Sequence, residues 1–333
     1  MKTYVSKNLV TVIVALMFSV FASICWAADY SDHPKARAFA DKMVTEHGFE
    51  RAYVQQLIDG AVRKQSILDA ISRPAEKTKT WGQYRKIFVT ETRTRQGREF
   101  MKTHAKALAR AERDFGVSAA MISAIIGVET RYGRQTGNYR VLDSLATLGF
   151  DYPPRSKFFT RQLEEYLLLV REQKFDPTMV KGSYAGAMGY GQFIPSSYRH
   201  YAIDFDGDGI ADIINNPIDA IGSVANYFKA HGWLPDQPVT YRATVTADHN
   251  AYIANRGLKP KYTVAELQAQ GYQSSVATDA EQMATAMRLE GDDGIEYWLG
   301  LKNFYVITRY NHSQLYAMAV YQLSEKLKQD VAE

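Results

Sequence analysis

The segment Val117-Ser-Ala-Ala-Met-Ile-Ser-Ala-Ile-Ile-Gly-Val-Glu-Thr-Arg-Tyr-Gly133 decides how this chain is read. Apolar residues recur three and four apart. Ser118 is a capping residue just ahead of them and Gly133 a breaker just after, so the stretch predicts a helix. Ile122, Ile125 and Ile126 share one face. Glu129 stands seven residues after Ile122 and four after Ile125, so it falls on that same face. It also lies in the last turn, where the negative end of the helix dipole disfavours a carboxylate. Burial acts in the same direction, and both raise its pKa toward what a general acid needs near neutral pH. A buried glutamate paired with Arg131 or Arg134 explains the same pattern, and the helix alone leaves both readings open.

Further along, Gly182-Ser-Tyr-Ala-Gly-Ala-Met-Gly-Tyr-Gly-Gln-Phe-Ile-Pro195 lets backbone approach a ligand or another helix closely. It lacks the Lys-Ser/Thr ending of a phosphate loop, and no strand pattern precedes it. Ser183 and Gln192 offer hydrogen bonds while Tyr190 and Phe193 offer ring surface, a mixture suited to a sugar. Tight helix packing accounts for the glycines equally well. Asp204-Phe-Asp-Gly-Asp-Gly-Ile-Ala-Asp212 then matches the opening of a calcium loop. Asp204, Asp206 and Asp208 fill positions 1, 3 and 5, glycine fills position 6, Ile210 offers a carbonyl at 7, and Asp212 fills 9. Asn215 stands at position 12 in place of the usual bidentate Glu, so affinity should be weaker than in a cytosolic sensor. Without an ion, the same segment is an Asp/Gly turn whose close carboxylates repel one another.

Around these motifs the chain is ordinary in bulk. It has 333 residues, 40 Lys+Arg against 36 Asp+Glu, 46 % apolar and 23 % charged residues. Those proportions exclude a disordered chain, a collagen-like repeat and a polytopic membrane protein. A net charge of +4 does not argue for nucleic acid. Residues 1–27 read as a secretory signal peptide: Lys2 and Lys7, an apolar run, then Cys25-Trp-Ala27 before Ala28. Lipidation at Cys25 is disfavoured by the bulky Ile24. A mature chain from residue 28 has no cysteine and relies on its core, helped by a metal. Helical periodicity over 38–47, 51–66 and 85–109, a loop near Pro74, alternation over 239–245 and a hairpin turn at 291–294 complete the pattern. They predict a mainly α, α+β protein. Its parts are a helical N-terminal domain (28–109), a core (110–235), a small β domain (236–300) and C-terminal helices completing the core (301–333). The scattered histidines 104, 200, 231, 249 and 312 show no zinc spacing.

Taken together, Glu129-Thr-Arg-Tyr-Gly133, Gly186–Tyr198, the calcium loop, Asp219–Trp233 and Tyr310-Asn-His-Ser-Gln-Leu-Tyr316 closely resemble the membrane-bound lytic murein transglycosylase B family over about residues 35–325. The resemblance implies a lysozyme-like catalytic domain and cleavage of the β-1,4 bond between N-acetylmuramic acid and N-acetylglucosamine. The muramyl product would close into a 1,6-anhydro ring. It implies Glu129 as the single acid/base, with Ser183 and Gln192 near the reactive sugar and Ser183 at its N-acetyl group. Tyr190, Phe193, Tyr227, Tyr310, Asn311 and Tyr316 would form the pocket wall. Calcium would be structural, with no cofactor in catalysis. The implied partners are peptidoglycan glycan strands, met by a periplasmic monomer, with cell-wall synthesis proteins as further candidates. A hydrolytic muramidase would need a second acid, for which Asp143 and Asp151 stand in loop-like surroundings. A non-catalytic, calcium-stabilised wall-binding protein is the alternative from another class.

Overall fold

The structure, a computed structural model, describes residues 29–72 and 79–329. The leader read at 1–27, and most of the loop expected near Pro74, lie outside the described residues. The chain opens with six helices: α1 (Pro34–His47), α2 (Arg51–Asp59), α3 (Gln65–Ile71), α4 (Trp81–Phe88), α5 (Glu91–Thr103) and α6 (Ala105–Phe115). Local chemistry sets their ends. Pro34 occupies the first turn of α1, and Gly48 closes it in the left-handed region at φ 64°. Thr80 and Gln83 form a reciprocal capping box on α4.

The periodicity over 51–66 predicts one helix, but the structure has two with a break between them. The break is held from far away in sequence: Val62 N–H donates to Asp143 (2.8 Å) and Lys64 N–H to Thr147 (3.1 Å). Those acceptors outcompete helix propagation, which local pattern cannot reveal.

Next come α7 (Ala119–Thr130), α8 (Val141–Asp151), α9 (Ser156–Glu172), α10 (Pro195–Tyr201) and α11 (Pro217–Ala230). A two-residue ribbon pairs β1 (Tyr139–Arg140) with β2 (Lys181–Gly182), and Tyr139 lies opposite Gly182. α7 packs against α5, α6, α11 and α14 (Gln314–Lys328). Every residue from Ala120 to Val128 is buried. The single apolar face expected for this segment is therefore wrong: the helix is apolar all round because it runs through the centre of the core.

The alternating stretch forms β3 (Thr240–Val245). It joins β4 (Tyr262–Thr263), β5 (Tyr272–Ser274), β6 (Met283–Glu290) and β7 (Ile295–Gly300) in an antiparallel sheet of order β4-β6-β7-β3-β5. The turn expected at 291–294 is there, closed by Gly291 N–H to the Gly294 carbonyl at 2.9 Å. The two faces of β6 serve two cores. Ala284 and Ala286 meet Leu299, Tyr272 and, from α12 (Val264–Ala269), Val264 and Leu267. Met287 and Leu289 point the other way and join the helical core. Asp292, in the hairpin turn, ties the sheet to α4 through Arg85 and Lys86, each at 2.6 Å. The chain ends with α13 (Lys302–Tyr310) and α14. The whole is mainly helical with one small sheet, an α+β protein. Among the described residues, no helix is long and apolar enough to cross a membrane.

Candidate active site

Glu129 is the one position between Ala120 and Thr130 that keeps partial solvent access. The helix carries it to the edge of the core and stops one residue later. The stop is abrupt. Arg131 and Tyr132 have φ of 51° and 60°, and Gly133 follows at 82°. Only glycine adopts that region freely; the two side-chain-bearing residues cost roughly 1–2 kcal/mol each. N–H groups of Arg131 and Tyr132 return to Gly127 and Ile126 carbonyls at 3.1 and 3.2 Å, which satisfies the helix end. Of the arginine alternatives from the sequence, Arg134 lies 3.4 Å from Glu99. Tyr316 donates its hydroxyl to Glu129 Oε1 at 2.6 Å. Burial, then the nearby Glu129 charge, pushes the Tyr316 hydroxyl well above the usual tyrosine range, so it stays a donor. Tyr310 is raised for the same two causes in the same order.

The glycine-rich segment folds into a tight loop beside β2. Met188 and Phe193 exchange backbone hydrogen bonds (2.9 and 3.0 Å), and Ser183 N–H reaches the Ala187 carbonyl at 2.8 Å. Ser183 Oγ accepts Ala187 N–H at 3.0 Å and retains its own proton for donation. At Gly189, with φ 71°, a Cβ would lie 2.2 Å from the Ile213 carbonyl, so this glycine serves close approach between the loop and the acidic segment. Gln192 spends its amide on the loop, donating to Thr136 and Gly189 carbonyls at 3.0 Å each. The wall predicted from sequence has two layers. Tyr190 and Tyr310 are partly exposed, whereas Phe193 (3 %) and Tyr227 (8 %) are buried behind them. Both buried rings lean on Tyr310, at 5.8 and 4.8 Å between centroids. Tyr227 gives its hydroxyl to the Arg309 carbonyl at 2.6 Å. Tyr310 gives its own to Gly191, and Asn311 follows in extended backbone at the end of α13.

The two carboxylates weighed as a second catalytic acid are both committed. The loop setting expected for them is also wrong, since both lie on α8. Asp143 is buried, accepts Val62 N–H and pairs with Arg140. Asp151 accepts the Tyr30 hydroxyl at 2.9 Å and lies 3.3 Å from Arg63.

In the acidic loop, Asp204, Asp206 and Asp219 each bring a carboxylate oxygen within 4.8 Å of the others. Asp204 accepts N–H groups from Gly207, Asp208 and Gly209, and the last of these does most to hold its carboxyl below the usual range. Asp208 takes Ile210 N–H at 2.9 Å. Asp212 and Asn215 bond to each other at 3.0 Å, and Asp212 caps the backbone of Ile214 and Asn215. The convergent third acid is thus Asp219, which sequence reading missed because it lies outside the twelve-residue frame. It sits in the first turn of α11, behind the Asn216 cap, and accepts Phe205 and Asp212 N–H at 2.7 and 2.8 Å. A second group, Glu46, His47 and Glu164, went unnoticed in the sequence. The Lys42 ammonium already lies against it, 2.6 Å from Glu164 and 3.8 Å from Glu46.

A family model described as the transglycosylase SLT domain matches residues 31–325. The chain belongs to that transglycosylase SLT domain family. It is 45 % identical over 306 residues to membrane-bound lytic murein transglycosylase B of Escherichia coli strain K12, spanning 89 % of this chain and 83 % of that one. The crystal structure of soluble lytic transglycosylase SltB1 from Pseudomonas aeruginosa superposes with a TM-score of 0.86 at 52 % identity, covering 90 % of this chain and all of that one. Escherichia coli Slt35 in complex with calcium gives 0.86 at 44 % identity, over 92 % and 96 % of the two chains. Fold and family thus agree with the lysozyme-like α+β reading. In this SLT-domain chain the acid at the end of α7, the glycine-rich loop and the α13–α14 turn occupy one region, joined by Tyr316–Glu129 and Tyr310–Gly191.

Proposed function

We propose that this chain is a lytic murein transglycosylase with Glu129 as its single acid/base. It cleaves the β-1,4 bond between N-acetylmuramic acid and N-acetylglucosamine. Glu129 first gives its proton to the glycosidic oxygen as the bond from that oxygen to C1 breaks. The carboxylate then takes the proton of the muramyl 6-hydroxyl as that oxygen bonds to C1, closing the 1,6-anhydro ring. No water is consumed, and the acid returns to its starting state. The carrying observation is the pair of facts about carboxylates: Glu129 reaches the surface at the end of buried α7, while Asp143 and Asp151 are tied into ion pairs. Hydrolytic glycosidases set two carboxyl groups on either side of the bond, and neither Asp143 nor Asp151 is placed to be the second one here.

In this reading Ser183 donates to the N-acetyl group, while Tyr190, Tyr310, Asn311 and Tyr316 bound the sugar subsite. Gln192, Phe193 and Tyr227 shape that wall from behind. Calcium is held by Asp204, Asp206, Asp208, the Ile210 carbonyl and Asp219, and its charge offsets the mutual repulsion of those acids. The residues fit such an ion because three carboxylates converge there, one of them buried and pushed upward by that burial. The protein works as a periplasmic monomer on glycan strands, exported by the 1–27 leader, with the domain division given above and cell-wall synthesis proteins as its protein partners.

Purified peptidoglycan sacculi test the assignment. Glu129→Gln keeps the shape and removes the transferable proton, so release of soluble fragments should fall at least about 10²-fold, with sacculus binding retained. Near-normal release by that variant would overturn the role of Glu129.

A further inference from the structure

A carboxylate in the last turn of a helix faces the negative end of the dipole, and helices usually meet this with a cation in that turn. α7 has no basic residue in its last turn. The charge comes from another element. Arg93, in the first turn of α5, donates Nη1 to the carbonyls of Gly127 (2.8 Å) and Val128 (3.3 Å), the two residues immediately before Glu129. Its guanidinium is stacked 5.2 Å from the Phe88 ring, and the residue is 9 % exposed. None of its partners among the described residues is a carboxylate, so a buried cation is held there by carbonyls and a ring. The compartment is closed by Tyr132, which folds back so tightly that a Cβ at Gly97 or Gly127 would lie within 2.6 Å of its hydroxyl oxygen. The strained turn after Glu129 thus packs Tyr132 between α5 and α7, near enough for its hydroxyl to act on the Arg93 charge.

We infer that Arg93 is a positioning residue for Glu129: it fixes the last-turn carbonyls of α7 and brings the compensating positive charge that this helix end lacks. The inference rests on Glu129 being the acid/base. In both half-reactions the acid must pass through its carboxylate form. A cation bonded to the adjacent carbonyls lowers the energy of that form without touching substrate. Tyr310 on α13 and Tyr316 on α14 feel the Glu129 charge and are held neutral by burial, Tyr84 of α4 lies near Tyr316, and Arg131 and Tyr132 follow in the chain. The cation at position 93 is bonded to the two carbonyls just before the acid, so its removal should shift the acid.

Fragment release from sacculi is measured against pH for the wild type, Arg93→Gln and Arg93→Lys, with Glu129→Gln alongside. Removing the cation disfavours the carboxylate. The alkaline limb of kcat/KM, where the protonated acid is lost, should move up by about one pH unit in Arg93→Gln. Arg93→Lys keeps the charge, so its limb should stay within about 0.3 unit, while its melting temperature falls because one ammonium replaces the forked donor. A purely structural Arg93 would lower stability and rate in both variants with neither limb moved, and that result overturns the inference. If Arg93→Gln does not fold, Arg93→Lys decides: a limb displaced by half a unit or more contradicts the proposal. Activity surviving in Glu129→Gln would instead sink the functional reading itself, whatever Arg93 does.

Discussion

Tyr316 and Glu129 come from elements 187 residues apart, and their hydrogen bond of 2.6 Å fixes the carboxyl at the edge of the core. It opposes the helix-end field: donation favours the carboxylate, while the dipole disfavours it. The bond is charge-assisted whenever Glu129 is ionised, and such bonds contribute about 1.5–3 kcal/mol. Tyr316→Phe removes the donor and almost none of the volume. Fragment release should therefore slow roughly 10- to 100-fold, with the thermal midpoint changed little. An unchanged rate would take Tyr316 out of the site. At this scale the sequence was half legible. Glu129 stood out because a carboxylate among isoleucines is rare. Phe193 and Tyr227 looked like surface rings because composition tells that a ring is near a motif, not whether another ring stands in front of it. Arg93 carries no local signal at all; its role comes from where α5 crosses α7.

Among the elements, the acidic loop is the most readable and the most testable. Gly207 and Gly209, with φ of 84° and 95°, supply the turn its spacing demands. An ion that binds only the folded loop stabilises by mass action, about 2.7 kcal/mol at a hundredfold excess over Kd. Chelation should lower the melting temperature by several degrees. In Asp206→Ala/Asp208→Ala, the melt should be the same with calcium and with chelator. A wild-type melt indifferent to calcium would dismiss the loop as a working site. The spacing identified this element because its chemistry is contiguous in sequence. Asp219 was missed because the acid that completes the cluster is brought by a separate helix. The break between α2 and α3 escaped for the same reason, since its backbone donors are claimed by α8. Caps, turns and the β6–β7 hairpin were legible, being settled within a few residues.

Across the whole molecule, distant segments converge on one carboxyl. α5 steadies the end of its helix, α14 holds its oxygen, and the glycine-rich loop is pinned to α13 by Tyr310 and to the acidic loop by Tyr190 N–H on Ile213. The sheet is anchored to α4 by the Asp292 ion pairs. With Asp143 and Asp151 bound elsewhere, neither serves as a second carboxylate for water at C1, and the nucleophile proposed is the muramyl 6-hydroxyl. Mass spectrometry of the fragments released from purified sacculi reads that choice directly, because an anhydro end is lighter by one water than a reducing end. The expected product is dominated by 1,6-anhydromuramyl ends; a mixture dominated by reducing muramic acid ends would mean hydrolysis and would contradict the single-acid transglycosylase, even with Glu129 essential.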